Sequence, residues 1–150
     1  MTQLKLDAFL PYRLSIASNR VSAAVATAYE ALFGLTIPQW RLIAVIAEGQ
    51  GVTQQALGAA TQMDKVTVSR AATALVERGL VTRTRHPDDQ RSHLLSLSSA
   101  GRALYDSVVP KALALEAQIF DGFSAAELAQ FHAVLARIEA AATAIESKRG

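Results

Sequence analysis

The sequence predicts a mainly α-helical fold with one small β-hairpin. Apolar residues recur at helical spacing along most of the chain, and residues of the types that begin and end helices separate these stretches. One segment alone changes to β-prone residues around a polar turn. At 150 residues the chain is long enough for one domain with appended helices.

Two helices are predicted before residue 50. The first runs from about Leu4 to Phe33 and ends before Gly34, because glycine readily adopts the left-handed conformation of a helix C-cap. The second runs from Ile37 to about Glu48, and its start carries a capping box formed by Thr36 and Gln39.

A short helix, a turn and a longer helix follow. Thr53 can cap the short helix, which continues to about Thr61, and Asp64 can cap the longer one, Lys65–Arg78, which ends at Gly79. Five apolar residues fall where these two helices must pack against each other: Leu57, Met63, Val68, Ala72 and Leu75.

A β-hairpin and two long helices complete the chain. Leu80–Arg85 and Ser92–Leu97 are β-prone and flank a polar turn. Ser98 can cap a helix that reaches about Asp121, and we expect a kink at Pro110 inside it. A capping box then begins the last helix, with Ser124 and Glu127 as its members and Phe123 and Leu128 as an apolar staple across it.

The last helix carries a heptad pattern. Its apolar residues are spaced 3-4-3-4-3: Leu128, Phe131, Leu135, Ile138, Ala142 and Ile145. This spacing fits a seam between subunits and fits a stripe that faces the protein's own core equally well. Because 51% of the residues are hydrophobic and only 19% are charged, we favour pairing between subunits.

Composition and motifs exclude several classes of protein. No apolar run reaches the roughly 18 residues of a membrane span, and the N-terminus lacks a signal-peptide pattern, so we expect a cytoplasmic protein with no membrane partner. The absence of cysteine excludes disulfides and thiol sensing. No catalytic motif is present, and the three histidines have no ligand spacing, so no enzyme, metal or cofactor is expected.

The order helix, helix, short helix, turn, longer helix, hairpin is that of a winged helix-turn-helix. A helix that reads DNA needs one face to hold it and a second face free of bulky apolar groups that can enter the major groove. The helix after Asp64 has this division, although a helix pair in a plain bundle would have it too. The residues expected to face DNA are Lys65, Thr67, Ser69, Arg70 and Thr73.

The positive charge is concentrated in the same segment. Between Asp64 and His93, six basic side chains oppose four acidic ones, whereas nine of each cancel elsewhere. A polyanion would bind here, although a solvated face would show the same bias. Near the hairpin tip, a basic loop can reach phosphates or a minor groove, and Asp89 can hold the loop by pairing with an arginine. The basic residues there are Arg83, Arg85 and Arg91, with His86 and His93.

The chain resembles the MarR family of bacterial regulators over nearly its whole length. The resemblance rests on an Asp-x-Arg motif at Asp89–Arg91 and on the sequence Leu-Ser-Ser-Ala-Gly at Leu97–Gly101. Asp64–Arg70 and Glu77–Val81 are similar to the family's recognition helix and its exit. The family usually has threonine where Ser98 stands, and the hydroxyl cap survives this change.

The resemblance implies a homodimer that binds double-stranded DNA. Helices in 1–35 and 99–150 would form the dimer, and 36–98 would form the winged helix-turn-helix domain. Such proteins usually bind a palindromic operator, repress the genes beside it and release it when a small ligand binds. The alternative function for this chain is a DNA-binding protein without sequence preference. Arg91 would lie at the minor groove or its rim, with Asp89 as its orienting partner. The residues implied at the major groove are Lys65, Val66, Thr67, Ser69 and Arg70.

The resemblance also implies a ligand site between the winged domain and the dimer helices. The residues there would be Tyr12, Arg13, Asn19, Arg20, Trp40, Arg41 and Tyr105. Aromatic rings beside guanidinium groups suit a flat anionic ligand, so we expect an aromatic carboxylate or its thioester. The alternative is that Trp40 and Tyr105 are core residues and that the arginines form surface ion pairs.

Overall fold

A computed structural model describes residues 2–89 and 91–149. Three residues lie outside this description: the outer ends of the predicted dimerisation region, Met1 and Gly150, and the middle residue of the Asp-x-Arg motif, Gln90. The fold is mainly α-helical with one two-stranded hairpin, as predicted. A 3₁₀ turn, Leu6–Ala8, precedes α1 (Leu10–Phe33), α2 (Ile37–Glu48), α3 (Gln54–Thr61), α4 (Lys65–Glu77), β1 (Val81–Arg85), β2 (His93–Leu97), α5 (Ser99–Ile119) and α6 (Ala125–Ser147).

The chain forms two compact units, one up to Leu113 and one from Ala114. The first holds α1–α4, the hairpin and most of α5, and the second holds the end of α5 and α6. No single described helix is long and apolar enough to cross a membrane. Helices α1 and α2 meet that requirement only together, by length and composition, and they are bent by 80° at their junction.

The predicted start of the first helix was wrong. Helix α1 begins at Leu10 rather than near Leu4, because Pro11 lies in its first turn and Phe9 before it is extended, with φ −87° and ψ 109°. A helix that continued from Leu4 would need the Pro11 amide as a donor, and proline has no N–H. The predicted end is confirmed: Gly34 caps α1 in the left-handed conformation, with φ 63°.

The predicted helix caps are confirmed. Thr36 and Gln39 form a reciprocal capping box, as do Ser124 and Glu127. The hydroxyl of Thr53 accepts from the Ala56 amide at 3.1 Å. Helix α4 ends at Glu77, one residue earlier than expected, and each strand is one residue shorter at its start.

The core lies between α2, α3, α4 and the hairpin. Among the residues expected between α3 and α4, four are buried and Met63 is half-buried. The buried side chains that fix α4 against its neighbours are Leu42, Ile43, Ile46, Leu57, Val68, Ala71, Ala72 and Leu75. These residues place the opposite face of α4 toward solvent.

The hairpin, which with its loop 86–92 we call the wing, pairs with a third segment. Its strands are antiparallel, with Val81 opposite Leu97 and Arg85 opposite His93. Val52 forms two hydrogen bonds with buried Leu95, of 2.9 Å and 2.8 Å, and so joins the wing to the loop before α3. This pairing was not predicted from the sequence, because a single paired residue shows no strand pattern.

The motif Leu97–Gly101 anchors the base of the wing. The Ser98 hydroxyl donates to the Gly79 carbonyl at 2.6 Å and accepts from the Gly101 amide at 3.0 Å. The Ser98 amide donates to the Leu80 carbonyl at 3.0 Å. A hydroxyl can donate and accept at once, so one side chain caps α5 and also holds the end of α4. A Cβ atom on buried Gly101 would overlap the Leu80 carbonyl.

We predict that Gly101→Ala destabilises the protein by about 1–3 kcal/mol, since the added methyl meets rigid backbone rather than a movable side chain. Urea unfolding followed by circular dichroism measures this. Gly122→Ala is the matched control, because nothing lies within 4 Å of a Cβ there. Equal unfolding midpoints for the two variants would contradict the steric account.

Candidate nucleic-acid interface

The solvent-facing side of α4 presents polar and basic side chains together. Positions 65, 66, 69, 70 and 73 share one helical face, opposite the buried residues. A concave surface of about 860 Å³, which we call the α3–α4 groove, lies along this face. Its walls include Lys65, Val66, Ser69 and Arg70 of α4 with Gln54, Gln55, Gly58 and Ala59 of α3. The structure thus brings together four of the residues predicted to face DNA.

Thr67 does not line the α3–α4 groove with the other residues predicted to face DNA. Its amide and hydroxyl donate to the two carboxylate oxygens of Asp64 at 2.8 Å and 3.0 Å. The first bond, and then the second, lowers the pKa of the Asp64 carboxyl. A carboxylate at this end of a helix is favoured by the helix dipole and satisfies a free amide. Thr67 therefore fixes the start of α4, and Thr73 lies exposed one turn beyond the groove.

The wing presents its basic residues to solvent. Arg83, Arg85 and Arg91 are all exposed. Arg83 lies nearest α3, and its Nη2 donates to Oε1 of Gln54 at 3.3 Å. This contact joins the wing to the first turn of α3, beside the groove.

Asp89 orders the wing loop by a different contact from the one expected. Its carboxylate accepts from the Arg91 amide at 3.0 Å and from the Ser92 hydroxyl at 3.2 Å, whereas an arginine side chain was expected. A short carboxylate that bonds nearby backbone loses less entropy than a pair of long side chains would. Asp89 thus fixes the backbone from which the Arg91 side chain leaves.

Gln54 and Gln55 were not predicted as site residues from the sequence. Both lie in the first turn of α3 and line the groove. The sequence feature that could have indicated them is Thr53, because its capping position marks the first turn of a helix. The first turn of a helix has free amide groups, which can bind an anion. Glutamine side chains can also pair with an adenine edge.

The side chain of Arg78 connects the end of α4 to the end of α1. It is the C-cap of α4, and its guanidinium donates to the Gly34 carbonyl at 2.9 Å and to the Phe33 carbonyl at 3.3 Å. These carbonyls end α1, where a positive charge is favoured by the helix dipole. The end of α4 is therefore tied to the end of α1.

The residues predicted for a ligand site are only partly brought together. Half-buried Trp40 stacks on Tyr105, with centroids 5.9 Å apart, and meets buried Tyr29 edge-on at 5.6 Å. Burial raises the pKa of the Tyr29 hydroxyl. The guanidinium of Arg102, which the sequence analysis missed, lies 5.5 Å from the Tyr105 ring centroid. The other five predicted residues are exposed: Tyr12, Arg13, Asn19, Arg20 and Arg41.

The exposed arginine nearest the start of α1 has a local partner. Nη1 of Arg13 donates to the Asp7 carbonyl at 2.9 Å, so this guanidinium stabilises the segment before the helix.

Within residues 2–89 and 91–149, no three histidine, aspartate or glutamate side chains form a group that could hold a metal ion.

Comparison with known proteins identifies the family. The MarR family model matches residues 33–92, which hold α2, α3, α4 and most of the wing. A MarR-family transcriptional regulator from Silicibacter pomeroyi is 31% identical, covers 91% of this chain and 94% of its own, and superposes with a TM-score of 0.76. The chain belongs to the MarR family. The fold described above is that of a winged-helix member of the family.

Two further solved structures are similar to this chain. A probable transcriptional regulator from Pseudomonas aeruginosa is 33% identical, covering 89% of this chain and 99% of its own with a TM-score of 0.81. CouR from Rhodococcus jostii RHA1, solved with p-coumaroyl-CoA, is 27% identical over 91% of this chain and 95% of its own, with a TM-score of 0.79. The chain spans about half the length of the curated relatives that it matches, 52% of one and 56% of another.

Proposed function

We propose that this protein is a dimeric transcriptional repressor that acts in the cytoplasm, binds a palindromic DNA operator and leaves it when a small organic ligand binds. The observation that carries the proposal is the exposed face of α4, which presents Lys65, Ser69 and Arg70 beside a wing with three exposed arginines. A duplex offers phosphates to the arginines and base edges to the helix.

The two parts of the interface have different tasks in this proposal. The wing arginines neutralise phosphates, which gives affinity without sequence information. Short or flexible side chains on α4 read base edges in the major groove, where each base pair has a distinct pattern of donors and acceptors. The contact between Arg83 and Gln54 joins the wing to the first turn of α3.

Exposed apolar side chains support the dimer. Fifteen large apolar side chains of the described residues are exposed, and fourteen of these lie in the predicted dimerisation regions, before residue 36 or after residue 98. On α6 the predicted seam includes Phe131, 46% exposed, Ile138, 41% exposed, and Ile145, 60% exposed. A soluble monomer rarely leaves so many apolar groups in contact with water.

We predict that the wild-type protein is a dimer by light scattering at micromolar concentration, and that Ile138→Glu shifts it toward monomer. The charged side chain would have to be buried at the seam, which is costly without a partner. The dimer should protect two half-sites whose centres lie about one helical turn, roughly 10 bp, apart. Ala140→Glu on the same helix is the matched control, because position 140 lies off the seam. A monomeric wild type that still binds its operator tightly would refute the dimer.

We predict that Arg91→Ala weakens binding to all duplexes and lowers the slope of log affinity against log salt by about one per chain, as for one lost phosphate contact. Fluorescence anisotropy at several salt concentrations measures both. Lys148→Ala removes the same charge outside the interface and should leave the slope unchanged. An unchanged slope for Arg91→Ala would mean that the wing does not contact the phosphates.

The aromatic cluster supports an aromatic carboxylate or its thioester as the effector. Trp40 and Tyr105 are stacked aromatic rings, and the Arg102 guanidinium lies over the second ring. Arginine binds carboxylates through two parallel hydrogen bonds. CouR, with 27% identity, is a relative solved with such a thioester. The ligand can release DNA only if it binds the DNA-incompetent form of the dimer more tightly.

We predict that at least one member of a panel of phenolic acids, aryl acids and p-coumaroyl-CoA lowers operator affinity in a titration monitored by anisotropy. Arg102→Ala and Arg13→Ala each test one guanidinium, and Trp40→Phe retains an aromatic ring so that the core is preserved. The response should weaken in Arg102→Ala or Trp40→Phe while operator affinity without ligand stays the same. Responses that are unchanged in all three variants would place the ligand elsewhere.

A further inference from the structure

Val66 is an exposed apolar side chain in a region that otherwise buries such groups. Its side chain is 58% exposed, and it is the one large apolar residue between positions 36 and 98 that is exposed, among the residues that the structure describes. The other fourteen exposed apolar side chains lie in the regions expected to form the dimer. Subunit pairing therefore does not account for Val66.

Packing within the chain does not account for Val66 either. The core face of α4 is formed by Val68, Ala71, Ala72 and Leu75, all buried. Val66 is the second residue of α4 and lies away from that face. An exposed valine also has a lower helix propensity than alanine or a long polar residue, so it does not strengthen the helix.

The surroundings of Val66 indicate which kind of partner group would contact it. It lines the α3–α4 groove between Lys65 and Arg70, with Gly58 and Ala59 on the opposite wall. The cationic side chains complement a polyanion, while the small residues across the groove leave the valine methyl groups accessible. An apolar contact inside a positively charged site matches one group on base-pair edges of the major groove, the C5-methyl of thymine.

We propose that Val66 reads the C5-methyl group of a thymine in each half-site of the operator. The proposal rests on the proposed function, since it requires α4 to enter the major groove. It assigns to Val66 a preference for thymine over cytosine, and for thymine over uracil, which differs only by that methyl group. Lys65, Ser69 and Arg70 then read or approach neighbouring positions by hydrogen bonds.

The test begins with the full-length dimer and a randomised duplex library, from which repeated binding selects the preferred site. Each thymine of the selected site is then replaced by deoxyuridine, one position at a time, symmetrically in both half-sites. Burying a methyl group contributes a factor of about four in affinity, so loss at both half-sites should weaken binding about fifteenfold. Deoxyuridine outside the half-sites is the matched control and should have no effect.

A double-mutant cycle links the methyl group to Val66. The Val66→Ala variant should bind the thymine site with an affinity lower by about the same factor. Its affinity for the deoxyuridine site should be little lower than that of the wild type, because both changes remove the same contact. Val66→Thr keeps the shape of the side chain and one of its two methyl groups, so it should retain part of the thymine preference. Alanine favours the helix more than valine does, so a loss of affinity in Val66→Ala does not arise from melting of α4.

Three results would overturn the inference while the proposed function stands: a selected half-site without thymine, deoxyuridine effects below twofold at every position, or effects of Val66→Ala and deoxyuridine that add fully. In the last case Val66 contacts sugar or phosphate, or another partner altogether. If the selection returns no preferred sequence, sequence-specific binding itself fails, and the reading of thymine fails with it.

Discussion

The close contact between Gly101 and the backbone of Leu80 is the constraint on which the position of the wing depends. Because residue 101 has no side chain, α5 can begin directly against the backbone of Leu80, in the short connection between α4 and β1. The Ser98 hydroxyl bonds to the Gly79 carbonyl in this connection and to the Gly101 amide in α5. The base of the wing is thereby fixed to two helices, and the Val52–Leu95 pairing fixes its middle. The described part of the loop at the tip is held by local bonds, among them those of the Asp89 carboxylate and the bond from the His86 amide to the Ser92 carbonyl.

The two faces of helix α4 differ in composition. Its buried side is small and apolar, so it packs closely on α2 and α3, and the Asp64 carboxylate orders its first turn. The outer side carries charge and one accessible valine beside a concave surface. In the proposed complex with DNA, rigid attachment on one side permits discrimination on the other, since a loosely held helix could adjust to any sequence.

The sequence predicted the elements well where local chemistry decides them. Thr36, Thr53, Asp64 and Ser124 cap helices as their spacing indicates, because a cap involves residues only three positions apart. It failed where distant backbone decides: the partners of Val52 and Arg78 lie far along the chain, and no local pattern encodes them. The bonds of Thr67 to Asp64 were not predicted, because a threonine that faces DNA and one that bonds to a cap look alike in sequence. Of the aromatic cluster, Trp40 and Tyr105 were selected together, but the role of Arg102 required knowing which turn of α5 faces them.

The contact of Arg78 has a consequence for how the chain tolerates sequence change. Its acceptors are the main-chain carbonyls of Phe33 and Gly34, which every amino acid possesses. The side chains along α1 can therefore diverge without loss of this bond. What the bond does require is the path of the backbone at the end of α1, which the left-handed Gly34 sets. Arg78 thus depends on where α1 ends and not on the side chains of α1, so α4 can keep its attachment beside first helices of different sequence.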